Sequence, residues 1–83
     1  MYYLYILKCS DESLYTGITT DLKRRIFEHN NLDVGAKYTK ARRPCELVYF
    51  EELLDRSLAT KREIEVKKLN KQNKIKLIKS KQL

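Results

Sequence analysis

The chain has 83 residues, 42% of them hydrophobic and 35% charged, with a formal net charge of +7. That balance excludes a disordered or low-complexity chain, and no apolar run reaches the roughly 20 residues of a membrane helix. A length of this order makes one domain, 1–83, with a modest core, since such chains bury only about 60% of their unfolded surface. Met1 runs directly into Tyr2-Tyr3-Leu4-Tyr5 with neither a basic leader nor a small-residue cleavage motif, so the expected location is the cytoplasm.

Tyr2 to Cys9 is aromatic, branched and aliphatic, and Ser10-Asp11-Glu12-Ser13 closes it, which predicts a strand and a turn. Leu14 to Ile18 predicts a second strand and an antiparallel hairpin. Gly17 stands where a missing Cβ lets another group approach closely. Thr19-Thr20-Asp21 offers a helix cap, and Leu22, Ile26 and His29 then share a face with Arg25 alongside. Asn30, Asn31 and Gly35 end that helix, and a loop from Gly35 to Pro44 carries Lys37, Tyr38, Lys40, Arg42 and Arg43 without an acid.

Pro44 opens a third strand, Cys45 to Glu51 or Glu52. Asp55 or Ser57 caps the next helix, where Leu58, Ala59, Val66 and Leu69 gather on one side with Glu63 on their flank. Arg62 points into that apolar stripe, which the pattern does not explain. Ile64 lies opposite and is expected to pack on a last helix, about Lys71 to Lys79, through Ile75 and Ile78. The expected fold is α+β, a three-stranded mixed or antiparallel sheet flanked by helices in the order β-β-α-β-α-α.

Residues 1–60 balance nine basic against nine acidic side chains, so the excess charge resides in 61–83 and most visibly in a basic helix and tail, about 70–83. A concentrated block of that sign attracts polyanions. Cys9 and Cys45 have no zinc-ligand spacing and are expected as buried thiols.

Taken in order, these residues resemble the GIY-YIG nuclease domain over nearly the whole chain. Tyr3-Leu4-Tyr5 resembles the first tyrosine motif of that family, with Tyr3 in the place of its glycine. Tyr15-Thr16-Gly17 resembles the second, with threonine for the middle isoleucine. Arg25 matches the helix arginine, His29 a position held by histidine or tyrosine, and Glu63 the metal-binding glutamate. Leu14 to Asp21 and Gly35-Ala36-Lys37-Tyr38-Thr39 are closest to the small stand-alone bacterial branch, akin to the amino-terminal nuclease domain of the excision-repair endonuclease. Ile75 stands where larger members carry an asparagine, and Asn73 is close but out of register.

The resemblance implies a metal-dependent endonuclease cutting phosphodiesters in DNA, with RNA as the second choice, in repair or recombination. It implies one Mg²⁺ or Mn²⁺ on Glu63, a chemistry suited to an ion that keeps several waters and borrows phosphate oxygens. Tyr5 or Tyr15 would activate water, Arg25 would stabilise charge bidentately, and His29 would assist proton handling. Lys37, Tyr38, Lys40, Arg42 and Arg43 are candidates for tracking a phosphate backbone or stacking a base. The expected state is a monomer, away from membranes, with a larger protein partner as one means of targeting. The alternative is a non-catalytic nucleic-acid-binding module on the same fold; a third reading is a basic accessory protein docking through its Lys-rich helix.

Other roles for the same residues set the standard that a structure must beat. Tyr5 and Tyr15 could pair as cross-strand neighbours, His29 could serve a helix end as a cation, and Glu63 could only bridge Lys67 at i, i+4.

Overall fold

The central strand, β1 (Tyr2–Lys8), is apolar on both faces because both faces are covered. In the computed structural model, which describes residues 1–81, it lies between β2 (Leu14–Thr19) and β3 (Glu46–Leu53). Both pairings are antiparallel, which settles the sheet as antiparallel rather than mixed. Four helices complete the order β-β-α-α-β-α-α: α1 (Leu22–Asn31), α2 (Lys37–Lys40), α3 (Arg56–Lys67) and α4 (Lys71–Lys79). The one-turn helix α2 lies in what the sequence reads as a plain loop; four residues are too few to show a 3.6-residue period. Residues 82 and 83 of the basic tail lie outside the described residues.

Alternation along β1 sorts the core into two layers. Tyr5, Leu7, Cys9 and Cys45 are buried on one face together with Leu22 and Ile26 of α1. Leu4, Ile6 and Tyr49 are buried on the other with Val66 of α3 and Ile78 of α4. Asp21 caps α1 by accepting from Arg24 N–H, Asp55 caps α3 through Leu58 N–H, and Asn70 caps α4 through Asn73 N–H. The free thiols of Cys9 and Cys45 are buried 3.2 Å apart between the end of β1 and the start of β3.

Two expectations about packing need correcting. Ile64 does not support α4; it is 51% exposed, and α4 docks directly on the sheet through Ile78. Asn30 does more than end a helix. Its amide accepts from Cys45 N–H at 2.7 Å and donates to Cys45 C=O at 2.8 Å, tying α1 to the start of β3.

Arg62 also gains an explanation. Its Nε and Nη2 each reach Glu51 at 2.9 Å, Tyr49 O–H donates to the same carboxylate, and Nη1 meets Glu65 at 3.1 Å. A guanidinium therefore crosses the edge of the apolar stripe because a half-buried acid on β3 awaits it, and the planar fork suits that carboxylate. Glu51 is held below the usual carboxylate range because Arg62 and Tyr49 outweigh the effect of its burial.

Candidate active site

The register places Gly17 directly opposite Tyr5, and Tyr15 opposite Leu7. The two tyrosines are thus diagonal neighbours on one face, ring centroids 6.4 Å apart. A Cβ built on Gly17 would stand 2.6 Å from the Tyr5 hydroxyl, so the phenol lies across the space that only glycine leaves open. The close approach anticipated at Gly17 is made by Tyr5 itself.

On the same face, α1 supplies Arg25 and His29. His29 is fully buried, and its Nε2 lies 2.7 Å from the Tyr5 hydroxyl. Its Nδ1 lies 2.8 Å from Thr39 Oγ1 of α2, whose hydroxyl sits 2.9 Å from Ala36 C=O. Tyr15 completes the enclosure, its ring edge-on to the imidazole at 5.1 Å between centroids. Arg25 is anchored through Nη1, which donates to Glu28 Oε1 and to Val34 C=O, both at 2.9 Å. Its guanidinium is close enough to the Tyr5 phenol that each moves the other's proton equilibrium.

Burial governs the titration of this cluster. It pushes the Tyr5 phenol up to about 12; Arg25 pulls the other way and loses, while the charges of Tyr15 and Glu63 add to the rise. The phenol is therefore neutral at pH 7. Burial also pushes the His29 imidazole down to about 4, with Arg25 and Arg43 lowering it further and Glu28 opposing them. A cationic His29 serving the end of α1 is thus contradicted: the ring is buried and neutral, and it belongs to a polar network.

Stability should follow this titration. The unfolded imidazole titrates near 6.5, so below that pH the unfolded chain binds a proton that the folded chain refuses until about 4. The contribution of neutral His29 is complete above about pH 6.5 and is lost as pH falls towards 4. At roughly 1.4 kcal/mol per unit, the loss is about 2–3 kcal/mol. Urea midpoints measured between about pH 7 and about pH 4.5 are expected to decline more steeply for the wild type than for His29→Gln; equal slopes would contradict the assignment.

Glu63 approaches from the second layer, where α3 lies against β2 and β1. Its charge is felt at Tyr5, as the weakest of the influences there, and its carboxylate bridges Lys67 Nζ at 3.3 Å. The bridge anticipated between Glu63 and Lys67 is therefore present, and the acid still faces the cluster electrostatically. No three acids, histidines or cysteines converge among the described residues. A lone carboxylate fits an ion that keeps most of its waters, as Mg²⁺ does.

The loop candidates divide. Lys37 is exposed and makes no ion pair among the described residues. Lys40 pairs with exposed Asp33 at 2.9 Å. Tyr38 stacks on Tyr15 at 5.9 Å and is covered by the Arg42 guanidinium at 3.9 Å from its ring centroid. Arg42 also binds Asp11 Oδ2 and Tyr38 C=O at 3.0 Å. Arg43 departs furthest from a phosphate contact: it donates to His29 C=O at 2.6 Å and Leu32 C=O at 2.7 Å, closing the C-terminal end of α1. Carbonyls left over at a helix end attract a cation, and nothing in the spacing of Arg43 indicates that partner.

Thr39 is the member of the network that spacing did not single out, since a hydroxyl ten residues from His29 across a loop leaves no periodic trace. Asn73 is exposed in the first turn of α4, and Ile75 lines an apolar groove with Leu14, Val48 and Ile78, so neither joins this cluster.

A sandwich of this topology, with two tyrosines, an arginine and a histidine on one face and an acid behind the edge strand, defines a phosphodiesterase-like site. Comparison with known proteins agrees: the GIY-YIG catalytic domain matches residues 1–76, and the chain belongs to the GIY-YIG nuclease family. Within it, the chain is 54% identical over 77 residues to a UPF0213 protein of Staphylococcus saprophyticus, covering 93% of each. It is 53% identical over its full length to a UPF0213 protein of Clostridium perfringens, covering 88% of that chain. The solution structure of the UPF0213 protein BH0048 from Bacillus halodurans superposes with a TM-score of 0.63 at 44% identity, over 98% of this chain and 86% of that one. A second solution structure, of the protein EF2693 from E. faecalis, gives 0.65 at 43% identity, over 95% and 83%.

Proposed function

We propose that this protein is a metal-dependent endonuclease that hydrolyses phosphodiester bonds in DNA, acting in the cytoplasm. The observation that carries the reading is the hydrogen-bonded pair of Tyr5 and His29, bounded by Tyr15 and Arg25, on the side of the sheet reached by the charge of Glu63. A phenol at about 12 is a poor base by itself, so it works by relay. As Tyr5 Oη takes a proton from the attacking water, its own proton passes to His29 Nε2. The hydroxide adds to phosphorus, the P–O bond to the leaving sugar breaks, and the proton held by His29 returns through Tyr5 and solvent to the leaving oxygen.

Arg25, permanently charged, holds two phosphate oxygens and stabilises the charge that develops on them. Its pairing with phosphate also weakens its field at His29, which raises the proton affinity of the imidazole when the relay needs it. Glu63 would hold one Mg²⁺ or Mn²⁺, which supplies Lewis-acid stabilisation of the phosphate and leaving oxygen. Lys37 and the exposed lysines of α4 lend sequence-independent attraction to the backbone.

The test is incubation of the purified protein with supercoiled plasmid, branched DNA and structured RNA, with Mg²⁺ or Mn²⁺. Nicks are expected in DNA, abolished by chelation and restored by adding back the metal. Binding to DNA without cleavage, falling steeply with salt, would instead favour a binding module on this fold.

A further inference from the structure

We infer that Thr39 is a positioning residue, whose hydroxyl fixes the His29 imidazole as its Nδ1–H tautomer and so leaves Nε2 free to accept the Tyr5 proton. The catalytic consequence rests on the nuclease reading above; the tautomer itself does not.

Two constraints on the two ends of the ring agree. At Nδ1, Thr39 Oγ1 is 2.8 Å away, while its own hydrogen is directed to Ala36 C=O at 2.9 Å, the back-bond a threonine makes one turn along a helix. An oxygen that has donated its hydrogen can only accept from Nδ1, so Nδ1 carries the proton. The Ala36 N–H also approaches Nδ1, but at 3.4 Å it is at the limit of a hydrogen bond and does not compete with a contact at 2.8 Å. At Nε2, the partner is the Tyr5 hydroxyl at 2.7 Å. The Arg25 cation lies beside that phenol and favours lone pairs towards itself, so the phenolic hydrogen points to Nε2.

The groups facing the ring are Tyr5 from β1, Tyr15 from β2, Arg25 and Glu28 from α1, Thr39 from α2 and Arg43 from the segment before β3. Only Tyr5 and Thr39 hydrogen-bond its nitrogens at under 3 Å among the described residues. The opposite tautomer would aim Nε2–H at Tyr5 and leave no acceptor for the phenolic proton, so the relay would stop. A tautomer chosen by the group on the other ring nitrogen is a general property of working histidines.

The chain has a single histidine, so its two ring nitrogens are assignable without ambiguity by ¹⁵N NMR. At pH 7 the wild type is expected to show a protonated Nδ1 and a pyridine-like Nε2, and Thr39→Ser to show the same. Thr39→Val keeps the shape and removes the acceptor, and the Nδ1–H to Nε2–H ratio should fall at least tenfold; Thr39→Ala serves if the valine does not fold. In the cleavage assay, Thr39→Val should lose about tenfold in kcat with KM unchanged, and Thr39→Ser should recover it. A wild-type proton on Nε2, or an unchanged ratio in both Thr39→Val and Thr39→Ala, overturns the proposal. A wild type that shows the expected tautomer but cuts nothing would remove the nuclease reading and leave the positioning of His29 standing.

Discussion

Alanine at Arg25 or at Glu63 is expected to lower the rate of DNA cleavage by about 10²–10³ each while the protein stays folded. The arginine is the cation closest to the Tyr5 phenol, and its Nη1 is already fixed by Glu28 and by Val34 C=O, so little ordering remains when phosphate arrives. That preorganisation is what a charge-stabilising group needs, because stabilisation counts only where no reorganisation accompanies it. Glu63 contributes differently. Its bridge to Lys67 joins side chains 21% and 54% exposed, and such bridges contribute about 0–1 kcal/mol. Glu63→Ala should therefore barely move the melting temperature yet remove the carboxylate offered to the metal. Raising Mg²⁺ should not rescue it fully, whereas the wild type should saturate. Cleavage that persists in both variants would contradict the assignment of either residue.

The second large effect is expected at Gly17, for steric reasons. Alanine there would put a Cβ 2.6 Å from Tyr5 Oη and 2.7 Å from Cζ. The ring is rigid, almost fully buried and bonded to His29, so it cannot swing aside cheaply. Overpacking of this kind costs about 1–3 kcal/mol. Displacing the phenol by about 1 Å should also cost roughly 10²-fold or more in cleavage. The paired readout is a thermal melt and a nicking rate on the same preparation. An alanine variant that melts and cuts like the wild type would show that Tyr5 does not need the open space above Gly17.

Much of this architecture was legible because its causes are local. β1 declares itself by an uninterrupted apolar run, α1 and α3 by Asp21 and Asp55 one residue ahead of them, and α4 by its spacing of Ile75 and Ile78. The hairpin and Gly17 could be read from turn chemistry and from the missing side chain. What could not be read has its cause elsewhere in the chain. The α2 turn exists because Thr39 is buried against His29, a contact that propensity does not encode. Arg62 looks misplaced until Glu51 on β3 is opposite it. Arg43 reads as a loop cation and is held instead by the carbonyls that end α1. His29 sits on the expected face, but its neutrality follows from complete burial, which no spacing reveals. Arg25, Tyr5 and Tyr15 were legible as a set because strand pairing and helix period bring them to one side, whereas the reach of Glu63 depends on how α3 lies under the sheet.

The central claim is that the Tyr5 hydroxyl, hydrogen-bonded to His29, carries the proton of the attacking water. Tyr5→Phe deletes that one oxygen and keeps the ring that fills the core. With Mg²⁺ saturating, the initial rate of plasmid nicking by Tyr5→Phe should fall by about 10²–10⁴ relative to wild type, with DNA binding at moderate salt retained. Nicking at the wild-type rate by a folded Tyr5→Phe protein would contradict the account.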